Sequence, residues 1–210
     1  MVGRAIRDGG DLMMRALVVF AHPEPTSFNG SVRDAAVAAL VAAGNQVDVI
    51  DLYADQFDPR MTTEERLAYE TPHPILDPQI EDYVARVRRA DALVFIYPTW
   101  WWGLPAILKG WLERVFVPGV GFVLDPSTNK VRPGLDHVRR VAGISTYGSS
   151  RTAMRIFSDA GRRTILRSVR LLAPLRRCRS TWLGLYDMDH ATDTERRAFV
   201  TRVERTLSSW

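Results

Sequence analysis

A polar loop follows the first strongly apolar run of the sequence. The run, residues 16–20, is continuous and rich in Val and Leu, which predicts a strand buried on both faces. The loop after it carries His22, Ser27 and Asn29 and leads into a predicted helix. Backbone N–H groups at a helix N-terminus bind anions readily, so this loop could hold a phosphate. Structural roles explain the same residues: Asn29 could cap the helix and His22 could satisfy a turn.

Three consecutive tryptophans follow a second apolar run, residues 91–97. Only some of Trp100, Trp101 and Trp102 can point into the core at the end of a strand, so at least one should face a crevice. A flat aromatic wall beside exposed backbone N–H groups suits a planar heteroaromatic ligand. An aromatic plug in the core is the alternative.

A third loop, residues 145–150, combines hydroxyl side chains, an aromatic ring and a glycine after a further predicted strand. Three such loops at one sheet edge favour a shared ligand that is both planar and phosphorylated. The first loop has neither the P-loop nor the G-x-G-x-x-G pattern, so nucleotide hydrolysis and ordinary Rossmann dinucleotide binding lose support.

Alternating strands and helices must position these loops. A parallel α/β sheet with helices on both faces is predicted from this alternation. Such sheets bind ligands where strand carboxyl ends meet the following helices. The predicted strands are residues 16–20, 46–52, 91–97, 138–144 and 180–186. The predicted helices are residues 31–43, 77–89 and 105–116, one that runs to about residue 172, and one that starts near residue 192. Residues 117–137 read as a β-hairpin or an extended loop.

The size and composition suit one globular domain. The chain has 210 residues, of which 46% are hydrophobic and 25% are charged. We expect a loose leader at residues 1–13 and a single domain at residues 14–210. The sequence has no apolar run long enough to span a membrane, so no membrane insertion is expected. The single cysteine and the lack of zinc spacing predict a cytoplasmic protein without a metal site.

The net charge of +4 hides a strongly basic segment. Residues 139–179 contain eleven arginines and one acid, Asp159, which gives this segment a charge of +10. A solvated helix face, a phosphate-bearing ligand and an acidic partner each explain it. A nucleic-acid partner is not expected, because Phe157 is the sole aromatic residue between residues 151 and 179.

Two segments carry a resemblance to a known family. AHPEPTSFNGSV, residues 21–32, and YPTWWWGLPAILKGWLERVF, residues 97–116, resemble the flavodoxin-like NAD(P)H:quinone oxidoreductases. The resemblance covers roughly residues 15–207 and is weaker at TYGSS, residues 146–150. It implies a flavodoxin-like three-layer α/β fold with a five-stranded parallel sheet of strand order 2-1-3-4-5.

The resemblance also implies a flavin site and a homodimer. FAD is the expected cofactor, with FMN as the alternative, and NAD(P)H is the co-substrate. The backbone donors of Trp101 and Trp102 would lie near N5 and O4 of the flavin. The flavin phosphates would be held by His22, Ser27, Phe28 and Asn29. The isoalloxazine ring would be lined by Pro98, Thr99, Trp100, Trp101, Trp102 and Gly103, and its pyrimidine side would be faced by Thr146, Tyr147, Gly148 and Ser149.

The implied chemistry is a ping-pong hydride transfer from NAD(P)H, through the flavin N5, to a quinone. The protein mainly supplies orientation and polarity for such a reaction. The better-known quinone reductases place a tyrosine and a histidine after their paired glycines, and residues 150–163 here contain neither. Tyr147 is the candidate replacement.

The sequence leaves the electron acceptor and the biological role open. Nitro, azo or metal-complex compounds could replace the quinone as acceptor. A second hypothesis is that the protein is not an enzyme. It would then be a flavin-binding accessory protein that regulates a membrane transport partner.

Overall fold

The structure is a computed structural model that describes residues 13–125, 127–128, 130–174 and 176–210. Except for Met13, the expected leader at residues 1–13 lies outside the described residues. No helix within these ranges is long and apolar enough to cross a membrane.

Seven strands form two sheets in the described residues. The strands are β1 (Arg15–Phe20), β2 (Gln46–Asp51), β3 (Ala92–Thr99), β4 (Phe122–Leu124), β5 (Val131–Pro133), β6 (Arg140–Tyr147) and β7 (Arg179–Leu185). Five of them pair in parallel in the order β2-β1-β3-β6-β7. The expected order 2-1-3-4-5 is corrected to 2-1-3-6-7, because residues 117–137 contain a separate antiparallel pair of strands, β4 and β5. The hairpin expected between residues 117 and 137 is thereby confirmed.

The helices begin at polar caps. Ser27, Asp77 and Thr192 each accept a hydrogen bond from a backbone N–H in the first turn of the helix that follows. The first helix starts three residues earlier than expected because its cap is Ser27. The helices are α1 (Phe28–Ala42), α2 (Thr63–Ala68), α3 (Pro78–Arg89), α4 (Ala106–Val115), α5 (Arg151–Ile156), α6 (Ala160–Arg163) and α7 (Asp193–Leu207), and a π-helical segment spans Thr164–Val169.

The prediction that one helix runs unbroken to about residue 172 is wrong. The observed helix, α5, ends at Ile156, because Ser158 and Asp159 have φ angles of 71° and 29°, which a right-handed helix cannot accommodate. The Asp159 carboxylate accepts a hydrogen bond from the Arg162 N–H at 3.0 Å and so caps α6. The chain therefore turns after α5 and re-enters a helix in a new direction.

Two apolar layers enclose the main sheet, as the alternation of side chains along a strand requires. Leu17 and Val19 of β1 face the core formed with α3, α4 and the π-helical segment. Val18 and Phe20 face the opposite core, formed with α1 and α7. The central strands are buried on both faces, which leaves their carboxyl ends as the accessible edge.

Candidate cofactor site

The carboxyl ends of β1, β3 and β6 lie side by side at this edge. β1 pairs with β3, and β3 pairs with β6 through to Thr99 and Tyr147. The side chains of Thr99 and Ser145 connect the last two strands, with 2.8 Å between their hydroxyl oxygens. Pro98 is buried within β3, opposite Thr146 in the register. The three loops predicted from the sequence thus share one crevice.

The first loop presents unpaired donors at the start of α1. Ser27 Oγ accepts a hydrogen bond from the Gly30 N–H at 3.2 Å. The N–H groups of Phe28 and Asn29 have no acceptor within the helix, as is general for a first turn. The ring of Phe28 packs on Phe199 of α7 instead of facing the crevice. Phe28 can therefore contribute its backbone donor and not its ring.

Gly30 allows the first loop to fold onto the helix. A Cβ at this position would lie 2.0 Å from the carbonyl oxygen of Pro25, a contact that backbone atoms cannot relieve without moving. Only glycine therefore permits this approach, which holds the loop against the N-terminus of α1.

Asn29 and His22 connect the first loop to the other two. The Asn29 side chain is buried, and its Nδ2 donates a hydrogen bond to Thr146 Oγ1 at 2.9 Å. Its Oδ1 atom is buried and has no partner in the described residues, so it can accept a hydrogen bond from a ligand. The His22 ring lies 6.2 Å from the Trp100 ring, and its Nδ1 lies 3.0 Å from both the N and the O atom of Glu24.

The three tryptophans form a tight turn. Trp100 and Gly103 exchange two backbone hydrogen bonds, of 3.3 and 3.0 Å. The central residues, Trp101 and Trp102, have φ angles of 48° and 56°, which correspond to a type I′ turn. Such φ values are unfavourable for bulky residues and are typically retained at functional sites. The turn leaves the N–H groups of Trp101 and Trp102 without an acceptor among the described residues.

The tryptophan rings form one wall of a cavity. Trp102 stacks on Phe157 with 4.5 Å between ring centroids, and Trp101 meets Trp102 edge to face at 5.7 Å. None of the three rings plugs the core, and Trp101 is 90% exposed. The tryptophan cavity has a volume of about 280 Å³. It is lined by Thr99, Trp101, Trp102, Tyr147, Gly148, Ser149 and Met154.

The third loop forms the opposite side of the tryptophan cavity and is held by the segment after β7. The N–H groups of Asp187 and Met188 donate hydrogen bonds to the carbonyl oxygens of Ser149 and Tyr147, at 3.1 and 2.9 Å. A Cβ on Gly148 would lie 2.9 Å from Asp189 Oδ2. The connection from β7 to α7 therefore positions this loop.

The Tyr147 hydroxyl is engaged within the protein. It donates a 2.9 Å hydrogen bond to Asp159 Oδ2, and its ring stacks on Tyr186 at 4.4 Å. Burial, followed by the nearby Asp159 charge, raises the pKa of the Tyr147 hydroxyl far above its usual range. A phenol with so high a pKa is a weak proton donor.

Sequence reasoning missed Phe157, Asp159 and residues 187–189, which all support the site. Phe157 extends the aromatic wall, and Asp159 both caps α6 and fixes Tyr147. The signal for Asp159 is that it is the only acid among the eleven arginines of residues 139–179. The sequence carries no comparable signal for Phe157 or for residues 187–189.

Comparisons with known proteins place this geometry in a family. A curated relative, NAD(P)H dehydrogenase (quinone) 1 of Cavia porcellus, is 38% identical over 154 residues, which cover 65% of this chain and 54% of that protein. The chain spans about half the length of the curated relatives it matches.

Two solved structures match over most of the chain. Smu.1420 from Streptococcus mutans UA159 has a TM-score of 0.79 at 28% identity, covering 94% of this chain and all of that one. An NAD(P)H:quinone oxidoreductase from Methanothermobacter marburgensis has a TM-score of 0.76 at 26% identity, covering 94% of this chain and 96% of that one. The family model described as flavodoxin-like fold matches residues 14–204. The chain belongs to this flavodoxin-like family.

Proposed function

We propose that this protein is a flavin-dependent NAD(P)H oxidoreductase that reduces a quinone or a similar small acceptor. The tryptophan turn carries this proposal, because it places two unpaired N–H donors beside an aromatic-walled cavity. The names of the Cavia porcellus and Methanothermobacter marburgensis relatives support the same activity.

The donor and acceptor set fits a flavin. Its planar ring carries nitrogen and oxygen acceptors, which the N–H groups of Trp101 and Trp102 would bind. Its ribityl chain carries hydroxyl donors next to the phosphate, and the buried Oδ1 of Asn29 is an acceptor without a partner in the described residues. The first turn of α1 offers N–H donors for the phosphate end.

The protein would act mainly through orientation and polarity. When bound, a flavin supplies two-electron hydride chemistry. Trp101 and Trp102 would hold the ring edge, and the stack of Trp102 on Phe157 would shield one side from water. Thr146, Gly148 and Ser149 would face the pyrimidine side, where hydrogen-bond donors stabilise developing negative charge.

We favour FAD over FMN as the cofactor. The first loop has polar groups from His22 to the Ser27 cap, more than a single phosphate, as in FMN, would contact. The pyrophosphate of FAD would contact both ends of this loop. Mass analysis of the cofactor released from purified protein distinguishes the two flavins.

A homodimer and a cytoplasmic location complete the proposal. Large apolar side chains remain exposed near the tryptophan cavity: Trp101 is 90% exposed and Ile156 is 76% exposed. A second copy of the chain would cover such a surface. The single, buried Cys178 accords with a reducing compartment.

Tyr147→Phe tests whether the Tyr147 hydroxyl transfers protons. Since this hydroxyl donates to Asp159, we expect kcat for quinone reduction to stay within about threefold, whereas loss of a general acid costs about 100-fold or more. Steady-state kinetics across pH measure the effect. A 100-fold loss with unchanged flavin content would instead identify Tyr147 as the acid.

Cofactor content and turnover test the proposed function. We expect purified protein to be yellow, to release one flavin per chain, and to oxidise NAD(P)H when a quinone is present. A flavin-loaded protein that turns over no quinone, nitro or azo compound would favour the accessory role. A colourless protein that takes up neither FAD nor FMN would overturn the proposal.

A further inference from the structure

A second cavity, distinct from the tryptophan cavity, is lined by arginines. It has a volume of about 340 Å³ and lies among α5, the turn after it, α6, the π-helical segment and Tyr186. We call it the arginine cavity. Its arginines are Arg151, Arg155, Arg162, Arg163 and Arg167.

The break after α5 creates this cavity. At about 100° per residue, an unbroken α-helix would point Arg163 and Arg167 about 80° to 160° away from Arg151 and Arg155. The left-handed residues Ser158 and Asp159 redirect the chain, and both sets of arginines then line one concave surface. A solvated helix face would not converge in this way.

Within the described residues, the positive charge of the arginine cavity is balanced only in part. None of its five arginines forms an ion pair within the described residues. Asp159 is its one acidic lining residue, and its two carboxylate oxygens already accept from the Tyr147 hydroxyl and the Arg162 N–H. Guanidinium groups grouped in this way favour a multiply charged anion such as phosphate, whose oxygens they bind with paired hydrogen bonds.

The two cavities adjoin each other. Met154 lines both of them, and Tyr147 of the tryptophan cavity stacks on Tyr186 of the arginine cavity. A dinucleotide whose ring stacks on a flavin in the first cavity can therefore place phosphates in the second. The proposed function puts the flavin phosphates at α1, which follows β1, whereas the arginine cavity lies beside β6 and β7.

We propose that the arginine cavity selects NADPH over NADH by binding the phosphate on the adenosine ribose. NADPH carries a planar nicotinamide at one end and this phosphate at the other, and NADH lacks the phosphate. The proposal rests on the proposed function, which supplies the nicotinamide substrate. It assigns the arginine-rich segment to a phosphate-bearing ligand instead of a polyanionic macromolecule.

Equilibrium binding of the oxidised dinucleotides tests the proposal without turnover. We expect flavin-loaded protein to bind NADP⁺ at least about tenfold tighter than NAD⁺ in calorimetry, the gain expected for one charge-assisted contact or more. The probe 2′,5′-ADP should compete with NADP⁺ for the site.

Two double variants localise the effect. Arg155→Gln/Arg163→Gln removes one arginine from each side of the arginine cavity and should lower the preference for NADP⁺ about tenfold. Arg176→Gln/Arg177→Gln removes the same charge from exposed positions outside the cavity and should leave the preference within about twofold, because distant exposed charges are screened by salt.

Equal binding of NADP⁺ and NAD⁺ by the unmodified protein would overturn the proposal, as would an unchanged preference in the cavity variant. A parallel assay of quinone reduction separates the two ideas. Equal turnover with NADH and NADPH would support the proposed function and contradict the NADPH selection proposed for the arginine cavity.

Tight NADP⁺ binding that is lost in the cavity variant, in a protein without turnover, would support the proposed role of the arginine cavity and contradict the proposed function. The proposed role of the arginine cavity would also be overturned if the protein bound single-stranded DNA more tightly than NADP⁺ and the cavity variant lost that DNA binding.

Discussion

Gly30→Ala is expected to abolish flavin retention. Its Cβ would lie 2.0 Å from the Pro25 carbonyl oxygen, so the first loop must move away from α1. That movement separates the Ser27 cap and the first-turn N–H groups, which together would bind the cofactor phosphate. Hydrogen bonds to a charged group contribute about 1.5–3 kcal/mol each, so losing two of them should raise the flavin Kd about 100-fold or more. Flavin content and equilibrium titration of the purified variant measure it.

Gly119→Ala controls for a simple loss of stability. Gly119 has a φ of 82°, so a Cβ strains the backbone there, although it would meet no atom within 4 Å. Gly119 contacts Arg88 in the last turn of α3, at the sheet edge where β3 begins, and hence opposite the candidate site. This variant should lose stability but keep its flavin. Stoichiometric flavin in a folded Gly30→Ala variant would contradict the phosphate-binding role of the first loop.

Trp101→Pro should cause the second large loss of flavin. Proline fixes φ near −65°, whereas the turn holds residue 101 at 48°, and proline also lacks the N–H that would bind the flavin ring. A buried hydrogen bond left unmade costs about 1–3 kcal/mol, and the distorted turn adds to that cost. We therefore expect the flavin Kd to rise about 100-fold or more.

Trp101→Asn separates the backbone from the side chain. Asparagine tolerates a positive φ and retains the N–H, and the Trp101 ring is 90% exposed, so little packing is lost. This variant should keep its flavin and gain thermal stability. Equal flavin loss in both variants would assign the role to the indole ring and refute the backbone interpretation.

Apolar periodicity predicted most of the fold. Strands β1 and β3 contain continuous apolar runs that end at turn residues, and the caps at Asp77 and Thr192 mark helix starts in the sequence itself. The break at residues 157–159 could not be predicted in this way. It depends on two non-glycine residues with positive φ angles, which the hydrogen bonds of Asp159 to Tyr147 and Arg162 stabilise.

The site was predictable to the level of its loops but not its contacts. Polar and aromatic residues after three strands indicated one crevice, and the structure brings those loops together there. The type I′ turn was not predictable, because two tryptophans are poor residues for its central positions. The arginine cavity also depends on tertiary geometry, since helical spacing alone suggested a solvated face.

Anaerobic titration of the purified protein tests the central claim most directly. The account predicts that NADPH bleaches a yellow, flavin-loaded protein with one equivalent per flavin, and that one equivalent of quinone restores the colour. This result would show that both half-reactions take place on this chain. A flavin that stays oxidised under excess NADPH and NADH, in protein shown to be folded, would contradict the account.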